Sequence, residues 1–161
     1  MSNAYRVIDN FVWRVKAITS TESQISGSAW RDIDPLRVDP DTLPNARAFY
    51  VEWLGAGPEN HEDISRNDRF ADHEFELVTV YQVGVSGLKH QDAAKLILRD
   101  RDDLITELRD PAKCLGYSDA AAATNIGLIK RTVSGETLDR SSTSVWLLRQ
   151  RWTCKINESE L

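Results

Sequence analysis

Cysteine, methionine and histidine are scarce in this chain, and each scarcity removes a class of function. Its 161 residues include two cysteines, one methionine and three histidines. Cys114 and Cys154 stand far apart in unlike contexts. A disulfide-stapled scaffold is excluded on that count, and two reduced thiols in an intracellular protein are expected. No run approaches the roughly eighteen apolar residues that would span a membrane, so no membrane partner is expected. The opening Met-Ser-Asn-Ala-Tyr-Arg lacks the charged and apolar regions of a secretion signal. Nor is there an excess of basic charge. Twenty Lys and Arg against twenty-five Asp and Glu leave a formal charge of −5, which argues against binding nucleic acid by bulk electrostatics. The remaining composition, 41% hydrophobic and 28% charged, is that of an ordinary globular protein. One domain over residues 1–161 is the simplest expectation, large enough to bury about two thirds of its unfolded surface.

Catalytic constellations are equally thin. His61 and His73 flank a polar stretch with Glu62, Asp63 and Asp72, but their spacing matches no metal-ligand signature, and solvated loop residues are the better account. His90 opens a helix, where capping or exposure explains it. Asp32, Asp34, Asp39 and Asp41 cluster between prolines without the glycine and distal glutamate of a calcium loop. Arg99 to Asp103 reads as a solvated helical turn. Gly55-Ala-Gly57 is followed by proline and acids rather than a helix start, so it is no phosphate loop. No serine or cysteine sits in a nucleophile elbow, and Cys154 reads as a small core residue. No cofactor, no metal and no enzymatic activity are therefore expected.

Periodicity predicts the order α-β-β-α-β-β. Tyr5, Ile8, Phe11, Val12, Val15 and Ile18 recur at spacings of three and four, predicting an amphipathic helix over 3–19 with Ser2 as N-cap. Trp13 lies off that stripe. Residues 30–44, broken by Pro35, Pro40 and Pro44, are expected to lack long regular structure. Strands are predicted over 46–54 and 72–85. Between them, about 56–71 forms a polar loop with almost nothing to bury, which implies a functional segment or one that orders on a partner. A second helix is predicted over 89–110, with Ala94, Ile97, Leu98, Leu104, Ile105 and Leu108 as its stripe, Arg101 interrupting it and Pro111 stopping it. A short strand over 126–133 precedes a turn at Ser134-Gly135. The fold class is α+β, an antiparallel or mixed sheet of about four strands packed by two helices.

Ser144 to Ile156 is the longest alternating run, with Trp146, Leu148, Gln150, Trp152, Cys154 and Ile156 on one face and Val145, Leu147, Arg149, Arg151, Thr153 and Lys155 on the other. Fully extended it would reach roughly 40 Å, about the width of a domain this size. It and 72–85 are each apolar on both faces over one half. Antiparallel pairing would bring those halves together mid-sheet and set Glu74 and Glu76 against Arg149 and Arg151, with Leu77 near Leu148 on the other face.

Tryptophan and arginine are enriched at interface hot spots, and this chain has five tryptophans. Trp53, Arg149, Arg151, Trp152 and Lys155 on the strands, and His61, Arg66 and Arg69 in the polar stretch, are the candidate protein-interface residues.

The architecture resembles the tail-terminator (tail-completion) proteins of long-tailed bacteriophages. The similarity lies in an N-terminal helix Tyr5-x-x-Ile8-x-x-Phe11-Val12 and a strand Phe75-Glu-Leu-Val-Thr-Val-Tyr81 leading into a helix with Leu104-Ile-x-x-Leu108. A Ser-rich turn over 141–144 then leads to a long last strand. It covers most of the chain as pattern, without a diagnostic motif, and segments 20–45 and 55–71 make this chain longer than compact members. The resemblance implies a ring-forming subunit, in a hexamer, that caps the tail-tube protein, stops its polymerisation and offers a joint to the head-completion or connector protein. It implies a virion protein of the tail or neck, assembled in the host cytoplasm. An acidic ring would let DNA pass without specific binding. Two alternatives stand beside it: another neck or tail component, such as a head-completion or tube-like protein, and a small cytoplasmic enzyme or ligand-binding domain using the His61/His73 loop.

Overall fold

The computed structural model describes residues 4–18, 30–34, 47–58, 60–63, 68–84, 89–121 and 123–158. The fold is α+β: helix α1 (Ala4–Ala17), strands β1 (Arg31–Asp32), β2 (Ala48–Ala56), β3 (Asn60–Asp63) and β4 (Asp68–Gln82), helix α2 (His90–Arg109), then β5 (Leu128–Asp139) and β6 (Val145–Asn157). Two short 3-10 turns, Pro111–Cys114 and Asp119–Ala121, link α2 to β5. The sheet order is β1-β2-β4-β6-β5, with β3 paired to the start of β4. Among the described residues, only the β1–β2 pair is parallel.

The two long strands are central neighbours and antiparallel, with Phe75 opposite Trp152 and Thr79 opposite Leu148. Leu77 and Leu148 share one face at adjacent positions. On the other face Glu76 stands opposite Arg151 and accepts a hydrogen bond from Arg149 Nη1 at 2.7 Å. The alternation drives this register. A one-residue slip would turn Phe75, Leu77, Trp152 and Ile156, all buried, to the opposite face.

Both helices cover that apolar face. Val7, Phe11 and Val15 of α1 and Leu104 and Leu108 of α2 pack with Phe49, Phe75, Leu77, Trp152, Cys154 and Ile156 in the main core. A smaller cluster joins Ala93, Leu96 and Ile97 to Tyr81, Val83, Trp146 and Leu148. Cys114 and Cys154 are both buried and unbridged.

Several elements differ from the periodicity reading. Within the expected 56–71 loop, β3 pairs with the start of β4 (Asn60 with Phe70, Asp63 with Asp68). Main-chain ladder bonds are indifferent to side-chain polarity, so a hairpin that runs beyond the core needs no apolar face. Six strands replace the expected four for this reason and because of the two-residue β1. Ser134-Gly135 is not a turn; it forms a bulge inside β5, where the register to β6 shifts between Val133 and Gly135. The reversal comes at the Ser-rich 141–144 segment, where Ser142 Oγ accepts from the amides of Ser144 and Val145. In α2 the buried stripe is Ala93, Leu96, Ile97, Asp100, Leu104 and Leu108, while Ala94 and Leu98 are exposed. Ser2 and most of 30–44 lie outside the described residues.

Asp100 is the largest departure. It was expected on a solvated turn and is instead fully buried with Arg47, whose Nε lies 3.3 Å from each Asp100 carboxylate oxygen. Tyr81 donates its hydroxyl to Asp100 Oδ2 at 2.9 Å. Arg47 holds a left-handed backbone, φ 62°, uncommon for a side-chain-bearing residue, and this geometry turns its side chain under α2. Burial holds the Asp100 carboxyl above its ordinary range; Arg47 and Tyr81 draw it back without cancelling the shift. A carboxyl raised in the folded state binds its proton more readily there than in the unfolded chain. Its contribution to stability is full below the unfolded value and is lost as pH rises through the folded one. Urea unfolding at stepped pH is therefore expected to show wild type gaining on Asp100→Asn as pH falls from neutral into the mildly acidic range. A flat difference would contradict this.

Arg131 plays a matching part at the C-terminal end of α2. Its Nε donates to the Leu108 carbonyl at 2.8 Å, Nη2 to the Lys113 carbonyl at 3.1 Å, and Nη1 to the Asn10 side chain. Asn10 in turn donates to the Gly116 carbonyl at 2.6 Å. A buried cation thus satisfies carbonyls at a helix C-terminus, where the macrodipole favours positive charge.

Candidate assembly surface

The face of the sheet that carries the helices has an uncovered end, where β2 leaves the core. Exposure rises along β2 from fully buried Ala48 and Phe49 to Trp53, 56% exposed, and Leu54, 42% exposed. A register shift between Trp53 and Gly55, with Gly55 at φ +135°, bulges the strand at this point.

Trp53 is exposed yet held. Its indole Nε1–H donates to His73 Nδ1 at 3.2 Å. Because an indole nitrogen only donates, Nδ1 accepts and the neutral ring carries its proton on Nε2. That nitrogen faces Glu158 Oε1 at 2.6 Å. Glu158 is itself fixed through its backbone amide on the Arg69 carbonyl, also at 2.6 Å. His73 is buried and stacks on Phe75 with ring centroids 6.5 Å apart. The indole therefore presents only its apolar rim and faces, in one orientation set by a buried histidine. This is the form of an anchor ready to fill an apolar pocket, since little rotamer freedom remains to be lost on binding.

The other predicted interface residues fall into four groups. Arg69 and Lys155 lie at this same end of the sheet, Arg69 exposed and Lys155 on the face away from the helices, with its Nζ 5.0 Å from the Phe70 ring centroid. Arg149 and Arg151 lie on the opposite face of the sheet: Arg149 is tied to Glu76, whereas Arg151 is exposed. Trp152 is core, fully buried and edge-on to Phe11 at 6.3 Å. Its place on the same face as Cys154 and Ile156 makes it inward-facing, so it is not a surface residue. His61 belongs to β3, with its side chain outside the described set, and Arg66 lies outside the described residues. Sequence reasoning missed the clamp formed by His73 and Glu158. Alternation did contain one signal for it, because Ala71, His73 and Phe75 share the inward face.

This geometry also bears on the enzyme alternative. Both His73 nitrogens are engaged by Trp53 and Glu158. Cys154 stands opposite His73, but burial pushes its thiol far above the ordinary range, so no thiolate is available for nucleophilic work. Among the described residues, no group of three His, Cys, Asp or Glu side chains is placed to hold a metal ion. A groove of about 540 Å³ runs beside α1, lined by Asp9, Val12, Trp13, Lys16, Tyr117 and Asp119 among others. Its polar groups are largely committed: Trp13 donates to Asp119, Lys16 pairs with Asp32 at 3.2 Å, and guanidinium groups cover Trp13 and Tyr117.

Exposed apolar side chains also mark the other edge of the sheet, where Ile129 is 46% and Leu138 37% exposed on β5. Among the described residues nothing pairs with the outer edge of β5, and β1 covers β2 only at Ala48 and Phe49. Open edges of this kind are normally capped, charged or used for association. Neither the family models nor the curated proteins contain a match to this chain, and its function is therefore argued from the geometry of these surfaces.

Proposed function

We propose that this chain is a structural subunit that works by self-association, a ring-forming component of a phage neck or tail in the manner of the tail terminators it resembles. In that role it caps the tail-tube protein, ends tube growth and meets the connector or head-completion protein, while DNA passes without specific binding. The observation that carries this reading is Trp53, exposed and fixed by the His73–Glu158 pair. A solvent-facing tryptophan held in a single orientation has a physical use at a protein interface.

The test is the mass of the purified protein by light scattering across a range of concentrations, followed by electron microscopy of the assembled fraction. A concentration-dependent ring is expected. Trp53→Ala is expected to keep the fold, because the side chain is mostly exposed, and to raise the concentration needed for assembly about thirtyfold, equivalent to a hot-spot loss of about 2 kcal/mol. A monomer at every concentration that also fails to bind a tail-tube protein would remove the proposal.

A further inference from the structure

We infer that neighbouring copies join edge to edge, the free edge of β5 in one copy pairing antiparallel with the free edge of β2 in the next. This rests on the self-association proposed above and names the surfaces that carry it.

Strand direction is the first argument. The four long strands β2, β4, β6 and β5 are antiparallel throughout. An even number of alternating strands leaves the two outer ones running in opposite directions. Copies related by rotation about an axis along the strands keep their strand directions, so β5 of one meets β2 of the next antiparallel. The ladder then continues through the joint with the same hydrogen-bond pattern as inside the subunit. An odd number would have forced a parallel joint.

Charge is the second. On the face away from the helices, Glu52 of β2 stands directly opposite Glu76, while Lys130 of β5 stands opposite Lys155. Like charges directly opposite one another are unfavourable. Glu76 is relieved by Arg149 at 2.7 Å, which leaves Glu52 without an ion pair among the described residues. On β5, Glu136 is taken by Arg101 at 2.6 Å and Gln150 at 3.2 Å, and Asp139 accepts from the Ser141 amide at 2.9 Å. Asp139 keeps its charge at the far end of β5, and Lys130, near its start, has no ion pair among the described residues. One edge thus carries an unpaired acid and the other an unpaired base among the described residues, so Glu52 and Lys130 are each repelled by their own copy and attracted to one another across the joint. A heterologous joint of this kind closes into a ring when the rotation between copies allows it.

Apolar surface is the third. Each edge carries exposed apolar residues, Trp53 and Leu54 on β2 and Ile129 and Leu138 on β5, which an isolated subunit leaves in water.

The experiment uses the full chain with single cysteines at exposed edge positions: Glu52→Cys in one preparation and Lys130→Cys, Thr132→Cys or Thr137→Cys in others. The native Cys114 and Cys154 are buried and do not compete. Under mild oxidation, disulfide-linked dimers are expected when the β2 variant is mixed with a β5 variant. Linkage within a β5 variant alone would show a two-fold β5–β5 joint and overturn the inference. Charge reversal supplies the second arm. Glu52→Lys and Lys130→Glu should each raise the assembly midpoint roughly tenfold, and the double reversal should restore it. Unchanged melting curves would confirm that the variants fold. Assembly by mass without any β2–β5 cross-link would sink edge pairing while leaving self-association standing. A monomer at all concentrations would sink both.

Discussion

Asp100→Ala is expected to lower the unfolding free energy by about 3–5 kcal/mol, because it removes one half of a buried ion pair with Arg47. Arg47 and Asp100 are both fully buried. In the wild type the carboxylate supplies two contacts at 3.3 Å to Arg47 Nε and accepts the Tyr81 hydroxyl at 2.9 Å. Removing it takes a carboxylate from the buried Arg47 cation and the acceptor from the buried Tyr81 hydroxyl, beneath a helix that gives water little access. Tyr81→Phe removes only the hydroxyl and should cost about 1–3 kcal/mol. Chemical unfolding of the three proteins at neutral pH checks the order. If Asp100→Ala were no worse than Tyr81→Phe, the buried pair would contribute little beyond its desolvation cost. The pair is better read as a device for specificity than for net stability, since such pairs seldom outperform a well-packed apolar replacement. It lies where α2 passes from the small cluster around Trp146 to the main core around Trp152, and it sets one rotation of the helix over that junction.

Trp152→Ala is expected to cost about 3–5 kcal/mol of stability, while Trp53→Ala costs little stability and weakens assembly. The two tryptophans sit on the two strands that flank β4, and Phe75 is the cross-strand partner of both. Burial separates their roles, 0% exposed for Trp152 and 56% for Trp53. Truncating Trp152 opens a cavity against Phe11 and Phe75 that the surrounding strands cannot close. Its indole N–H has no hydrogen-bond partner among the described residues, so Trp152→Phe removes an unsatisfied donor along with some volume and should cost far less than the alanine variant. Thermal melts separate the cases. A Trp152→Ala protein that melts like wild type would mean the core repacks around the loss.

The long strands and both helices were legible in the sequence because their side chains alternate or recur at the period of the element that buries them. The β4–β6 pairing was legible too, since two strands apolar on both faces over one half have few other places to put those halves. What escaped was whatever leaves no apolar pattern in the sequence. β3 forms through main-chain bonds in a segment with no apolar pattern. Asp100 looked solvated because a charge-rich turn usually is, and only its proximity to Arg47, 53 residues earlier, makes it a core residue. His73 had an inward position by alternation, but its tie to Trp53 and Glu158 joins residues from three strands or their ends.

The sequence alone therefore determined the α+β class, the two helices, the central strand pair and which of their faces turns inward. These follow from periodicity, a local property read over ten to fifteen residues. Tertiary structure alone decided which tryptophan is buried and which is presented, which charges are paired and which remain on the open edges. Those outcomes depend on how far each strand runs past the helices that cover it, and that distance is set by packing between segments remote in the chain.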